Sequence, residues 1–308
     1  MKVLIESPYW LGDAIMASAS IRKIIKRYKG EEIYIISFSQ SALIFEHNPH
    51  IRKILILEKN FYNILSKYPR QKFELFVGYR KTLHSRFLAL LLNANEKFLF
   101  NRKNTNSIHQ VEKYNEFTNY VLKETSRPLP IKIYHRKESN YQFKSRTVAI
   151  APGAKYGEAK CWPPRKYAEL VLMLPTTLNF VFLGSKSELR IFDEIERILL
   201  KKKFKNFTNL IGQTTLKDLI EIISKVDILI SGDSGPMHVA AAFKTPTIAI
   251  FGPTKANETS PWRNQNAAVV SKQLDCQPCM KRVCPLGHHD CMELISVNEV
   301  AIQINKKL

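Results

Sequence analysis

Short apolar runs alternate with longer amphipathic ones from end to end of the chain. Residues 2–6, 32–38, 54–57 and 73–77 are apolar runs of strand length closed by polar or turn-forming residues, which predicts strands. Between the first two, residues 14–28 bring Ile15, Ala19, Ile21 and Ile25 near one face of a helix. Residues 41–47, 61–68, 82–92 and 109–123 read as further helices, and 97–100 as a short strand. A second alternation opens with strand 147–151 and continues through helix 167–174, strand 179–183 and helices 188–200 and 216–224. Lys201, Lys202 and Lys203 suit a solvated helix end, where cations face the negative end of the dipole. Strands alternating with helices predict an α/β chain with parallel sheets. Pro128 and Pro130 lie in an aperiodic stretch, 126–143, which divides the chain into domains 1–145 and 146–308.

The most informative stretch is 228–254, ILISGDSGPMHVAAAFKTPTIAIFGPT. An apolar strand breaks at Ser231-Gly232-Asp233-Ser234-Gly235. Pro236 stands where the first turn of a helix tolerates it, since its missing N–H would be unpaired there. A short Ala-rich helix runs over 237–243, Lys244-Thr245-Pro246 ends it, and a second buried strand, 247–251, leads to Gly252-Pro253-Thr254. The loop before the helix offers free backbone N–H groups and the positive end of a helix dipole, which together bind anions. Asp233 beside it repels phosphate but accepts hydrogen bonds from sugar hydroxyls. A ligand with both sugar and phosphate fits this pattern.

The run Gly232-Asp233-Ser234-Gly235-x-x-His238-x-Ala240-Ala241-Ala242, followed by Pro246 and Phe251-Gly252-x-Thr254, resembles the signature of the bacterial lipopolysaccharide heptosyltransferases, glycosyltransferase family 9. The resemblance implies a GT-B fold, two Rossmann-like domains facing each other across a cleft. Trp10-Leu11-Gly12-Asp13 with Met16 looks like the family's N-terminal motif, whose aspartate is the catalytic base. On the residues alone, Asp13 has a plainer reading as a helix N-cap. Pro152-Gly153-Ala154-Lys155-Tyr156-Gly157-Glu158-Ala159-Lys160-Cys161-Trp162-Pro163 resembles the donor-phosphate loop. Its glycines allow a close approach of backbone to ligand, and Lys160 matches the lysine that stabilises the leaving diphosphate. Glu188, in the turn after Gly184, fits the acidic residue that binds the donor's ribose. Its plainer reading is a favourable charge in a helix's first turn. His238 reads equally as a phosphate contact or a packing residue, and the motif places it in the site. Within the family, the Trp-Leu-Gly-Asp start and the Ala-Lys-x-Trp-Pro spacing are more like heptosyltransferase II than I.

The family then implies a donor, ADP-heptose, held by Gly153, Ala154, Lys160, Gly184, Glu188, Asp233, Ser234, Gly235 and His238. It implies an acceptor, the lipid A-anchored inner-core oligosaccharide, met by Gly12, Arg80, Lys81 and Arg86. Asp13 would take the acceptor's proton and Lys160 would stabilise departing ADP, with inversion at the anomeric carbon. No cofactor or metal is required by this chemistry. Heptosyltransferase I, or another core heptosyltransferase, is the nearest alternative.

The formal net charge is +20. Residues 1–150 hold 26 Lys+Arg against 12 Asp+Glu, and residues 151–308 hold 21 against 15, so the first half carries most of the excess. An anionic partner for the first half follows, whether nucleic acid, anionic lipid or an acidic acceptor. Arg80, Lys81, Arg86, Lys97, Arg102 and Lys103 are the candidates for that face. No nucleic-acid motif accompanies the charge, and no Gly-x-Gly-x-x-Gly opens either domain, so a nucleic-acid binder and a dinucleotide oxidoreductase are both disfavoured. Glu6 and Asp13 interrupt the N-terminal apolar stretch, which reads as a strand and not a signal peptide. A cytoplasmic monomer, peripheral at the anionic inner leaflet, is the expectation. Cys276-x-x-Cys279-x4-Cys284-x6-Cys291, with His288 and His289, suits either a small zinc site or free thiols, and free thiols are expected.

Overall fold

The computed structural model describes residues 1–57, 71–80, 82–101, 107–136 and 141–308. The chain divides into two compact units, Met1–Arg136 and Lys137–Leu308. In the first, β1 (Lys2–Glu6), β2 (Glu32–Phe38), β3 (Lys53–Leu57), β4 (Phe73–Gly78) and β5 (Ala94–Leu99) form a sheet in the order β3-β2-β1-β4-β5. In the second, β6 (Thr147–Ala151), β7 (Asn179–Phe182), β8 (Phe207–Asn209), β9 (Ile228–Gly232), β10 (Thr247–Phe251) and β11 (Ala267–Ser271) are ordered β11-β10-β9-β6-β7-β8. Every pair of neighbours in both sheets is parallel. Each sheet thus starts at its centre, winds one way, and returns to wind the other. The order reverses between β1 and β4, and again between β6 and β9. Such switch points open a crevice at the carboxyl ends of the strands, where α/β proteins bind ligands.

The central strands are apolar because they are covered on both faces. All five residues of β6, β9 and β10 are buried. Val148, Ile150, Ile228, Ile230, Ile248 and Ile250 join Phe180 and Phe182 in one core. Edge strands differ. β8 is three residues long and half-buried, and β11 alternates between buried and exposed. β8 holds one apolar residue, Phe207, and β11 holds two alanines before Val269 and Val270, and neither strand was expected. The C-terminal helix Val297–Asn305 was also not expected, although its capping box, Ser296 with Glu299, is written in the sequence.

Three expectations change. The short helix expected at 41–47 is Ser39–Ala42, followed by turns. Helix Leu11–Arg27 begins three residues before the predicted start, with Trp10 at the N-cap position. Asp13 therefore does not cap this helix. It lies inside the first turn, where its charge faces the positive end of the dipole. The strand expected to break at Ser231 runs on to Gly232, so Ser231 and Gly232 are buried strand residues and the chain turns at Asp233. The expected helix at 61–68 falls outside the described residues.

Trp162 fixes the segment after β6. Its side chain is fully buried, its ring meets Tyr167 edge-on at 4.9 Å, and its Nε1–H donates to Ile295 O at 3.1 Å. Trp162→Ala should cost about 3–5 kcal/mol, the usual loss for a buried tryptophan. Urea unfolding of the purified variant measures it. A loss below about 1 kcal/mol would mean that the segment is anchored by something else.

Candidate active site

At the β6/β9 switch point, three segments converge on one carboxylate. Asp233 follows β9 and is almost wholly buried. Its Oδ2 accepts from Lys160 Nζ at 2.6 Å and from Thr254 Oγ1, just after β10, at 2.7 Å. Lys160 Nζ also donates to the Asp233 carbonyl at 3.0 Å. Two of the three ammonium N–H bonds are thereby used, leaving one for another acceptor. The ammonium also sits 4.6 Å from the centre of the Tyr156 ring. Asp233 thus holds Lys160 and Thr254, and its Oδ2 is committed to them.

The loop carrying Lys160 is strapped down by the cysteine-containing segment. Tyr156 donates its hydroxyl to Met280 O at 2.7 Å, and Ala159 N–H donates to Arg282 O at 3.0 Å. His289 Nε2 donates to Ala159 O at 2.9 Å. Gly157 has φ +155°, and a Cβ there would come within 2.4 Å of Arg282 O, so the strap requires glycine at this position. Cys276, Cys279, Cys284 and Cys291 are free thiols, and among the described residues no three His, Cys, Asp or Glu side chains are grouped to hold a metal. Backbone N–H groups, that of His289 foremost, hold the Cys284 thiol below its ordinary value, whereas burial pushes Cys291 up to about 11.

Gly153 and Gly184 make room for Glu188. A Cβ on Gly153 would lie 2.0 Å from Glu188 Cγ, and one on Gly184 would lie 2.8 Å from Glu188 Oε2. That oxygen accepts from Ser185 N–H and, at 2.8 Å, from Ser185 Oγ. Glu188 therefore caps the turn before helix Leu189–Lys201. Ala154 O accepts from Gly157 N–H at 3.1 Å and closes the loop's first turn. Ser234 is the N-cap residue of helix Gly235–Phe243, with its Oγ 3.0 Å from Ser231 Oγ. Gly235 opens that helix, and His238 lies buried in its second turn. Lys160, Asp233, Ser234 and Gly235 are thus brought to one strand edge.

The β1/β4 switch point holds a second buried charge pair, which the sequence reading missed. Glu6 ends β1 with no exposed surface. Its Oε1 is 3.4 Å from Arg80 Nη1 and accepts from Ser85 Oγ at 2.9 Å, while its Oε2 has no hydrogen-bond partner among the described residues. The Arg80 guanidinium lies 4.8 Å from the centre of the Phe38 ring. Glu6, Ser85 and Phe38 fix this arginine, so it is not a loose surface cation. A lone carboxylate at the end of an apolar strand was the signal available. Gly12 and Asp13 lie half-buried in the first turn of helix Leu11–Arg27, and Arg86 is exposed on helix Leu83–Leu91. Lys81, Arg102 and Lys103 fall outside the described residues.

The model of glycosyltransferase family 9 (heptosyltransferase) matches residues 77–289, more than two thirds of the chain. The chain belongs to this family. The family 9 chain is 32% identical to lipooligosaccharide heptosyltransferase 2 of Campylobacter jejuni subsp. jejuni serotype O:6, over 99% of each. The structure of Escherichia coli ADP-heptose lps heptosyltransferase II matches it with a TM-score of 0.79 at 21% identity, over 99% of this chain and 98% of that one. That of E. coli heptosyltransferase WaaC with ADP matches with a TM-score of 0.71 at 14% identity, over 100% of both. The fold of the family 9 chain is of the GT-B type, with two Rossmann-like α/β units.

Burial raises the Glu6 carboxyl from 4.5 to about 7, against the opposing pull of Arg80 and Ser85. The folded chain then keeps a proton that the unfolded chain releases above about pH 4.5. Folding stability from Glu6 falls as pH rises from about 4.5 to 7, by on the order of 3 kcal/mol. Glu6→Gln removes that slope. Urea unfolding at pH 5 and pH 8 should show the stability difference between variant and parent swinging toward the variant by about 2–3 kcal/mol. An unchanged difference would mean that Glu6 is ionised throughout.

Proposed function

We propose that this chain is an inverting heptosyltransferase II, moving L-glycero-D-manno-heptose from ADP-heptose to the inner core of lipopolysaccharide or lipooligosaccharide as the second heptose. The observation that carries the reading is the cation held beside a helix N-terminus at the β6/β9 switch point, in a chain related along its whole length to a lipooligosaccharide heptosyltransferase 2.

Asp13 accepts the proton of the acceptor hydroxyl. The hydroxyl oxygen forms a bond to the anomeric carbon as the bond from that carbon to the ADP phosphate oxygen breaks, and the electron pair leaves with ADP. Lys160 directs its remaining N–H at that diphosphate, and the N–H groups near Ser234 and Gly235 add the helix's positive end. Gly153, Ala154, Gly184, Glu188, Asp233 and His238 complete the donor subsite. On the acceptor side are Gly12, Arg80, Lys81 and Arg86, with Glu6 as the group that fixes Arg80. The protein works as a monomer on the cytoplasmic side, at the anionic inner leaflet. Among the described residues no helix is long and apolar enough to cross a membrane.

ADP release from ADP-heptose, measured with acceptors carrying no heptose or one heptose, tests the assignment. Release with the one-heptose acceptor alone is expected. Release only with the heptose-free acceptor would make the chain a heptosyltransferase I. No release with either, beside steeply salt-dependent nucleic-acid binding, would replace the transferase reading. Asp13→Asn should lower turnover by about 10²-fold or more with ADP affinity unchanged, as for loss of a general base. Because Asp13 is not the helix cap, the variant should lose only a few tenths of a kcal/mol of stability through the dipole. Parental turnover in the folded variant would remove Asp13 from the mechanism.

A further inference from the structure

Helix Leu83–Leu91 is apolar on two opposite sides. Thr82 caps it, accepting Ser85 N–H on its Oγ1 at 3.1 Å. One side buries Ser85 and Leu88, and Leu92 follows just past its end, against Leu4, Ile36, Phe73 and Phe76. That side accounts for the helix's place in the fold. At about 100° per residue, the opposite side carries Leu83, Leu90 and Leu91 within an arc of roughly 100°, with Phe87 inside it. These leucines are 83%, 76% and 48% exposed, and Phe87 is 40% exposed. An outward helix face in water is ordinarily polar. No other described helix carries more than two exposed large hydrophobic residues.

Charge says what covers this face. Residues 80–95 contain Arg80, Lys81 and Arg86 and no aspartate or glutamate. Arg86 is exposed on the flank of the stripe, next to Leu90 around the helix. Lys97 is exposed on β5. It lies two residues from Leu99, which packs against the cluster holding Leu88, so both project from the helix-bearing face of the sheet. Aliphatic side chains rimmed by cations fit an anionic lipid bilayer, with leucines at the boundary of the acyl chains and cations among the phosphates. A second copy of the chain fits less well. Four side chains offer roughly a few hundred Å², well below the ~800 Å² per partner of a standard interface, and like charges would meet across it.

We propose that helix Leu83–Leu91 docks the protein on an anionic bilayer, burying Leu83, Phe87, Leu90 and Leu91 in the lipid interface with Arg86 and Lys97 at the headgroups. The buried side of the same helix holds Ser85 on Glu6, which in turn holds Arg80. Docking therefore sets the β1/β4 switch point close to the lipid surface, at a depth fixed by the helix. This deepens the reading that the acceptor is lipid-anchored, but docking itself needs neither substrate.

Flotation of the full chain with vesicles of phosphatidylethanolamine and phosphatidylglycerol tests it, with phosphatidylcholine vesicles as the comparison. The parent should float with the anionic vesicles and lose binding in high salt. The double variant Leu83→Gln/Leu90→Gln should bind them about tenfold or more weakly, with unchanged unfolding midpoint and unchanged ADP release on a delipidated acceptor. Hydrogen exchange of the parent chain with and without vesicles gives a second measure that needs no variant, with protection expected over residues 83–91. Parent that fails to float, variant that floats equally well, or protection elsewhere only would overturn the proposal. So would a parent dimer in sedimentation that the two substitutions dissociate, since the face would then belong to a second copy. Flotation without ADP release would leave docking intact and remove the transferase reading, and ADP release without flotation would do the reverse.

Discussion

The buried pair of Lys160 and Asp233 is the constraint on which the second unit is arranged. Removing two charges from water costs more than their attraction alone returns, so such a pair persists only where further hydrogen bonds complete it. Two are present, with a cation–π contact beside them: Thr254 donates to the carboxylate, Lys160 reaches the Asp233 carbonyl, and the ammonium rests on Tyr156. Each partner arrives on a different segment, after β6, β9 and β10. The parallel sheet brings those ends together, and the buried strands fix its register. The pair adds little net stability, so its value lies in where it holds the ammonium.

The first unit repeats the arrangement with the polarity reversed. In the second unit the cation comes from the loop after the first strand and the carboxylate from the strand across the switch point. In the first unit the carboxylate, Glu6, ends the first strand and the cation, Arg80, follows the strand across it. Either way a cation is held at the carboxyl edge by a nearly dry carboxylate. The two differ in saturation. Asp233 Oδ2 is bonded twice, whereas Glu6 Oε2 has no hydrogen-bond partner among the described residues, and burial raises the Glu6 carboxyl to about 7. The first pair therefore responds to pH near neutrality.

Strands buried on both faces were legible because their composition has one cause. β6 and β10 lie at the residues their apolar runs predict. β8 and β11, at the edges of the second sheet, are less covered: β8 keeps one apolar residue, Phe207, and β11 opens on two alanines with only Val270 buried, so neither stood out. The residues brought to the β6/β9 edge were legible through motif, but what they do to one another was not. Asp233 reads as a sugar ligand, and that it also holds Lys160 is visible only in the fold. Gly153 reads as a ligand cradle, and that Glu188 packs against it is visible only in the fold. Glu6 carried a signal, a carboxylate closing an apolar strand, but its partners Arg80 and Ser85 lie 74 and 79 residues away. Spacing along a chain does not encode contacts made by sheet topology.

The segment 276–291 shows the same limit and decides how the Lys160 loop can work. From sequence it is a cysteine cluster that suits either a small zinc site or free thiols. In the fold it is a strap, tied to the loop through Tyr156, Ala159 and His289, while Trp162 pins the loop's far end in the core. A loop held at both ends positions its lysine before any ligand arrives. In the proposed transfer its ammonium would need no costly reorganisation as charge develops on the leaving group, which is how fixed dipoles and charges lower a barrier. An exposed lysine on a free loop would first lose its own hydration and rotamer entropy. The strap removes that cost in advance, so the conformation of 276–291 bears on the chemistry of a residue more than a hundred positions before it.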